Sequence, residues 1–223
     1  MKKLQSIGII PDGNRRWARS RGLPTIEGHR KGVLKLREVG DWCIEKGVST
    51  LTVFGFSSEN RNRSKEEIDY LIKIIYHYIS SRSLKDLKKR GIQINIIGDL
   101  TFFPQKVRDA VKRAEDETKE NKEMTLNVAL NYGGRSEIVS VAKKLIEKGI
   151  EFTEENFSSN LFINTFPDLI IRTGREVRIS NFMLWQAAYS ELYFSNSYWP
   201  EFSKKEFDDA FEYYAKKERR FGQ

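Results

Sequence analysis

The chain has 223 residues, with 39 Lys and Arg against 31 Asp and Glu, a formal charge of +8 and 39% hydrophobic residues. That length and apolar share suit one α/β domain with its own core, and no apolar run approaches the ~18 residues of a membrane span. The lone cysteine, Cys43, excludes an internal disulfide, and with only two histidines it excludes a zinc centre of the usual kind.

The opening Met1–Gly13 stretch has two lysines, but its apolar run is short and ends at Asp12, so it does not read as a secretory signal. A cytoplasmic location is therefore expected. The first strand is predicted at Ile7–Ile10, and a helix over about Gly28 to Lys46, where Cys43 sits between Trp42 and Ile44 as a core thiol. Thr50–Phe54 is the second strand. Ser64-Lys65-Glu66-Glu67 reads as a capping box that opens a helix reaching Lys89. A strand at Ile92–Ile97 precedes a helix that follows Pro104, a residue suited to a helix start. Then come a strand at Leu126–Leu130, a helix from about Arg135, strands at Leu169–Ile171 and Leu192–Phe194, and a last helix opened by a second capping box, Ser203-Lys204-Lys205-Glu206. Strands that are short, apolar on both faces and separated by helices predict a parallel sheet covered on both sides. In such sheets ligands bind beyond the carboxyl ends of the strands.

Three predicted strand ends carry polar clusters. The first is Pro11-Asp12-Gly13-Asn14-Arg15-Arg16-Trp17. Gly13 lets backbone approach a ligand, and Arg16 with the following N–H groups can hold a diphosphate. Asp12 suits such a site if it holds Mg²⁺ against the phosphates. By spacing alone, an Asp-Gly turn before a solvated basic helix end fits equally. The second cluster is Ser57-Ser58-Glu59-Asn60-Arg61-Asn62-Arg63, where Ser57, Asn60 and Arg63 can bind phosphate or relay a proton, or form an ordinary loop. The third places Arg172, Arg175 and Arg178 within seven residues, followed by Ile179, Ser180 and Asn181. Guanidinium forks match phosphate oxygens, though a nucleic-acid contact or a solvated loop would look similar. From Ile68 to Ile79, nine of twelve residues are Ile, Leu or Tyr, more than one apolar stripe needs. That helix either lies deep in a core or lines an apolar cavity or interface.

The stretches IIPDGNRRWA, GHRKG, FGFSSENRNR, LNVALNYGGRSEI, DLIIRTGREVRISNFMLWQAAYSELYF, YWPEF and ERRFG span Ile9 to Gly222. In this order they resemble the cis-prenyltransferases, the undecaprenyl and dehydrodolichyl diphosphate synthases. The resemblance implies a six-stranded, mostly parallel sheet flanked by helices, with an apolar tunnel. It implies Mg²⁺-dependent condensation of isopentenyl diphosphate with an allylic diphosphate to form Z double bonds. Asp12 matches an essential Mg²⁺-binding aspartate. Gly13, Asn14, Arg16 and His29 match the allylic diphosphate site, with Arg15 and Trp17 in the same motif. Ser57 and Asn60 match residues of proton removal, and Arg63 matches a substrate-binding arginine, with Ser58, Glu59 and Arg61 beside them. Arg172, Arg178 and Ser180, with Ile179, match the isopentenyl diphosphate pocket. Glu191 matches a second metal-binding carboxylate supplied across a homodimer, and Arg220-Phe221-Gly222 resembles an element that reaches a neighbouring subunit's site. A very apolar product makes peripheral membrane contact an expectation.

Four positions depart from the family pattern: Arg15 for a glycine, Thr25 for an arginine that contacts the allylic diphosphate, Arg61 for a tryptophan and Arg175 for a glycine. They are expected to shift substrate length or affinity. A trans-prenyltransferase would need paired DDxxD motifs on helices, and only Asp208-Asp209-Ala210-Phe211-Glu212 comes near. A non-catalytic subunit of a two-component synthase would lack Asp12 and its neighbours. A nucleic-acid binder rests on charge alone, since the aromatic residues read as core.

Overall fold

The computed structural model describes residues 3–217, so the expectation for Arg220-Phe221-Gly222 lies outside the described residues. Six strands form one parallel sheet in the order β3-β4-β2-β1-β5-β6. They are β1 (Ser6–Ile10), β2 (Thr50–Ser57), β3 (Ile92–Ile97), β4 (Met124–Tyr132), β5 (Leu169–Arg172) and β6 (Glu191–Phe194). Helices α1 (Asn14–Arg19) and α2 (Thr25–Glu45) follow β1, and α3 (Lys65–Ile79) and α4 (Ser81–Lys89) follow β2. Beyond β3 lies α5 (Gln105–Thr118), α6 (Gly134–Glu147) and α7 (Glu154–Ser159) separate β4 from β5, and α8 (Lys204–Ala215) closes the described chain.

All five residues of β1 are buried, as expected of a strand covered on both faces. Ile7 and Ile9 pack with Val39 and Cys43 of α2 and with Phe207 of α8. Ile10 faces the other way, onto Ile170, Tyr132 and Phe182. A fully buried aliphatic side chain contributes ~1.5–3 kcal/mol, so the two faces together hold β1 at the centre. Burial raises the Cys43 thiol pKa, which suits the expected inert core thiol. No described helix is long and apolar enough to cross a membrane.

Two helix expectations change. The helix after Ser64 does not run unbroken to Lys89. Ser80 is extended, at φ −90 and ψ 173, and its hydroxyl donates to the His77 carbonyl at 2.7 Å. Short hydroxyl side chains compete for backbone groups in this way. The bend lets Ile79 and Leu84 enter the same apolar cluster beside α5. The first capping box also forms only in part. Ser64 Oγ accepts from Glu67 N at 3.3 Å, but the Glu67 carboxylate turns towards His29 and Arg63. The second box closes fully: Ser203 N donates to Glu206 Oε2 at 3.1 Å and Glu206 N to Ser203 Oγ at 3.2 Å. Helix α5 follows Pro104 as expected, with the proline just ahead of its first turn. The short α7, capped by Thr153, has too few apolar residues for periodicity to show it.

Candidate active site

The carboxyl end of β1 is tied to the end of β5 by a reciprocal pair. Asp12 N donates to Thr173 Oγ1 at 3.0 Å, and Thr173 Oγ1 donates to Asp12 O at 2.8 Å. This fixes the backbone from which the Asp12 carboxylate projects. Arg172 Nη2 donates to Asp12 Oδ2 at 2.9 Å, and Arg16 Nη2 lies 3.1 Å from Asp12 Oδ1. Arg172 is 5% exposed and Asp12 30% exposed, so the arginine is the buried anchor and the carboxylate faces outwards. It opens on a cavity of about 370 Å³ lined by Pro11 to Arg16, Arg19, His29 and Arg63.

Asn14 and His29 meet there because α2 packs directly on α1. A Cβ on Gly28 would lie 2.0 Å from Asn14 O, so only glycine admits this approach. His29, one residue on, is thereby carried into the cavity. Its Nε2 lies 3.3 Å from Glu67 Oε1, which also accepts from Arg63 Nη1 at 2.9 Å, while Arg15 Nη1 is 3.6 Å from Glu67 Oε2. Burial first, and then Arg63, lower the His29 pKa against the pull of Glu67. Arg15 Nε is buried without a partner among the described residues. The structure thus places Arg15 in the cavity wall, with donor capacity to spare.

The third cluster gathers on Arg172. Its Nη1 donates to Ser180 Oγ at 2.6 Å and to Arg178 O at 2.5 Å. Arg178 Nη1 pairs with Glu176 Oε2 at 2.7 Å, and Arg16 Nη1 with Glu176 Oε1 at 3.0 Å, so Glu176 bridges the first and third clusters. Ile179 packs below, beside Ile10 and Phe182. In the second cluster Ser57 N donates to Asn60 Oδ1 at 3.1 Å, which holds the 58–62 turn closed. Ser58 Oγ donates to Glu59 Oε2 at 3.1 Å, and Asn181 Nδ2 to Glu59 Oε1 at 2.8 Å.

Four expected residues lie elsewhere. Arg61 turns from the cavity: its Nε donates to Asn131 Oδ1 at 2.6 Å and its Nη2 to Asp99 Oδ2 at 3.2 Å, over the Phe102 ring. It ties the turn to the end of β4. Trp17 carries the Arg21 guanidinium 4.9 Å above its ring and does not line the cavity. Arg175 Nε donates to Asn196 O at 2.9 Å. Glu191 pairs in register with Leu169, three residues short of Arg172 along the strand direction, roughly 10 Å. One chain therefore does not bring Glu191 to Asp12. Sequence reasoning gave no role to Glu67 or Glu176, and named Asn181 only as a neighbour of the third cluster. The signal for Glu67 was present in Ser64-Lys65-Glu66-Glu67, but it pointed to a helix cap.

No group of three or more His, Cys, Asp or Glu that could hold a metal occurs among the described residues. The donor set fits a cation that arrives with phosphate oxygens of its own. Mg²⁺ is commonly bound that way, through one or two carboxylates and substrate phosphates. A cavity lined by Arg15, Arg16, Arg19, Arg63 and His29, with Asp12 the one acidic residue of its lining, at the carboxyl edge of a parallel sheet, suits a diphosphate ligand. A family model for undecaprenyl diphosphate synthase, of the prenyltransferases, matches residues 10–222. The chain is 44% identical to an isoprenyl transferase of Thermotoga maritima, over 100% of this chain and 98% of that protein. It is 44% identical, over 97% and 88%, to a tritrans,polycis-undecaprenyl-diphosphate synthase (geranylgeranyl-diphosphate specific) of Thermoplasma volcanium. Its fold matches lavandulyl diphosphate synthase from Lavandula x intermedia, crystallised with dimethylallyl diphosphate, at a TM-score of 0.94 and 35% identity over 99% of both chains. The chain belongs to the undecaprenyl diphosphate synthase family and is a prenyltransferase.

Proposed function

We propose that this chain, as a single catalytic domain, condenses isopentenyl diphosphate with an allylic diphosphate, extending a polyprenyl chain with Z double bonds. The observation that carries this is Asp12, gripped by Arg172 and Arg16 yet open to a cavity lined by Arg15, Arg16, Arg19, Arg63 and His29. An allylic diphosphate ionises only if the charge growing on its pyrophosphate is stabilised, and preorganised guanidinium groups do this without reorganising. Arg15, Arg16, Arg63, His29 and Asn14 hold that diphosphate. Arg172, Arg178 and Ser180 hold the second one, so that its double bond lies about 3–3.5 Å from the allylic carbon. The Ser57–Asn60 turn relays the proton released as the new double bond forms to the departed pyrophosphate, which is the base the reaction supplies. Asp12 would hold a Mg²⁺, which when bound would further stabilise the leaving charge.

The growing tail is best housed beside α3. Only Ile79 of that helix is fully buried, although nine of its residues from 68 to 79 are Ile, Leu or Tyr. Leu71, Ile72 and Ile75 pack on the core. Ile74 lies on another face and remains half-exposed, and Tyr70 and Tyr78 lie on the side of α3 towards Arg30 of α2, whose pKa is raised first by Glu27 and in small part by these two rings. Each buried CH₂ of a tail laid there contributes ~0.8 kcal/mol. A homodimer completes the proposal, because Glu191 can reach an Asp12 only from another subunit. A cytoplasmic enzyme that touches the membrane peripherally follows from an apolar product.

The test is purified protein with Mg²⁺, radiolabelled isopentenyl diphosphate and dimethylallyl, geranyl, farnesyl and geranylgeranyl diphosphates in turn. Elongated Z products with at least one primer, lost on chelation, are expected. No product with any primer would favour a non-catalytic binding subunit.

A further inference from the structure

Asn181 stands where the second and third clusters meet. Its φ is +64, and its neighbours Ser180 and Met183 are at +49 and +46. Few non-glycine residues adopt this left-handed conformation, so the surrounding contacts must hold the segment. Asn181 O accepts from Gly134 N at 2.7 Å, and Oδ1 accepts from Arg135 N at 2.9 Å. These bonds satisfy two N–H groups at the start of α6, whose N-cap Gly133 has no side chain to do so. The remaining group, Nδ2, donates to Glu59 Oε1 at 2.8 Å. A Cβ on Gly133 would lie 2.7 Å from both Asn181 Nδ2 and Ser58 Oγ, so the packing at this junction is close.

Both ends of the contact lead into the site. Glu59 reaches Ser57 and Ser58 on the proton-relaying turn. Its burial raises the carboxyl pKa, but bonds from Asn181, its own N–H, Ser57 and Ser58 outweigh this and hold it below the ordinary glutamate value. On the other side Ser180 accepts from Arg172, which grips Asp12. A continuous polar chain therefore runs from Asp12 through Arg172, Ser180, Asn181 and Glu59 to the turn bearing Asn60.

We propose that Asn181 is a positioning residue for prenyl transfer, which through Glu59 fixes the Ser57–Asn60 turn against Arg172 and the second diphosphate. The proposal rests on the roles given above to those two clusters. A misplacement of 1 Å between reacting groups can cost about a hundredfold in rate.

Asn181→Asp tests it, because that change keeps the shape and the acceptor for Arg135 N but turns an oxygen towards the Glu59 carboxylate. The kcat is expected to fall by about tenfold to a hundredfold, with KM for the allylic primer changed by less than about threefold. The paired change Asn181→Asp with Glu59→Gln places a donor on the opposite side of the contact, and should recover most of the lost kcat. If Asn181→Asp does not fold, Glu59→Ala, on the exposed side of the contact, should show the same loss of kcat while melting like the wild type. Wild-type kcat in folded Asn181→Asp overturns the proposal, as does a paired variant no better than Asn181→Asp, or unimpaired kcat in Glu59→Ala. Wild-type protein is assayed first: absence of product there refutes the prenyl-transfer reading itself, before any variant is compared.

Discussion

Asp12 shows how much one side chain depends on its backbone. Its N–H and carbonyl are both bound by Thr173, so the backbone holds an asparagine in place, and the amide keeps an acceptor on the buried Arg172 by turning its NH2 towards the more exposed Arg16. Asp12→Asn is expected to lower kcat by about a thousandfold, ~4 kcal/mol of transition-state stabilisation, while Tm moves only a few degrees. Full activity in that variant would remove Asp12 from the chemistry. His29 gives a pH prediction. Its folded pKa lies below the ordinary value, so on acidification the unfolded chain takes up its proton first. The stability at stake is therefore intact above about pH 6.5 and is lost as the pH falls below it, towards the lower folded value. Melting curves should show Tm declining over that window, and His29→Gln should flatten the decline. Asp12 and Arg172 were legible as candidates because acid and arginine at predicted strand ends are unusual enough to draw notice. Glu67 was not, since whether a carboxylate closes its own helix cap or pairs with His29 depends on how closely α2 approaches α3.

Element boundaries followed local chemistry where that chemistry was unopposed. The box at Ser203 formed as its pattern requires, and β3 spans the residues that its apolar run marks. The break at Ser80 was not legible, because the apolar pattern runs on to Leu84 and only the cluster beside α5 decides that the chain must bend. The same packing separates two neighbours on α3. Ile74→Ala should lengthen the product by opening the end of the tail's path, and product sizing by chromatography would show it. An unchanged distribution would remove α3 from that role. Ile75 packs on the core, so Ile75→Ala should instead destabilise the fold by about 1–2 kcal/mol, at or below the low end for such truncations because the residue is only half-buried.

The strand register bears on the proposed second carboxylate. With Glu191 opposite Leu169 and Asp12 beyond the end of β1, the proposed sharing of a site by these two carboxylates calls for two subunits. Asp12→Asn and Glu191→Gln chains should each be nearly inactive alone. Mixed after reversible dissociation, they should regain about a quarter of wild-type activity, because half the dimers then carry one intact site of two. No recovery from a mixture shown to exchange subunits would place Glu191 outside the chemistry.

The sequence alone determined the layer pattern and the places where a site could lie. Alternating short apolar strands with helices leaves few solutions other than a covered parallel sheet, and such a sheet presents its strand ends to ligands. Its ordered motifs determined the family. The tertiary structure decided which polar side chains near those ends meet. It joined Arg172 to Asp12 across 160 positions of sequence, sent Arg61 to Asp99 and set Asn181 against Glu59. Such pairings depend on strand order and on the approach of one helix to another, and no local propensity encodes either.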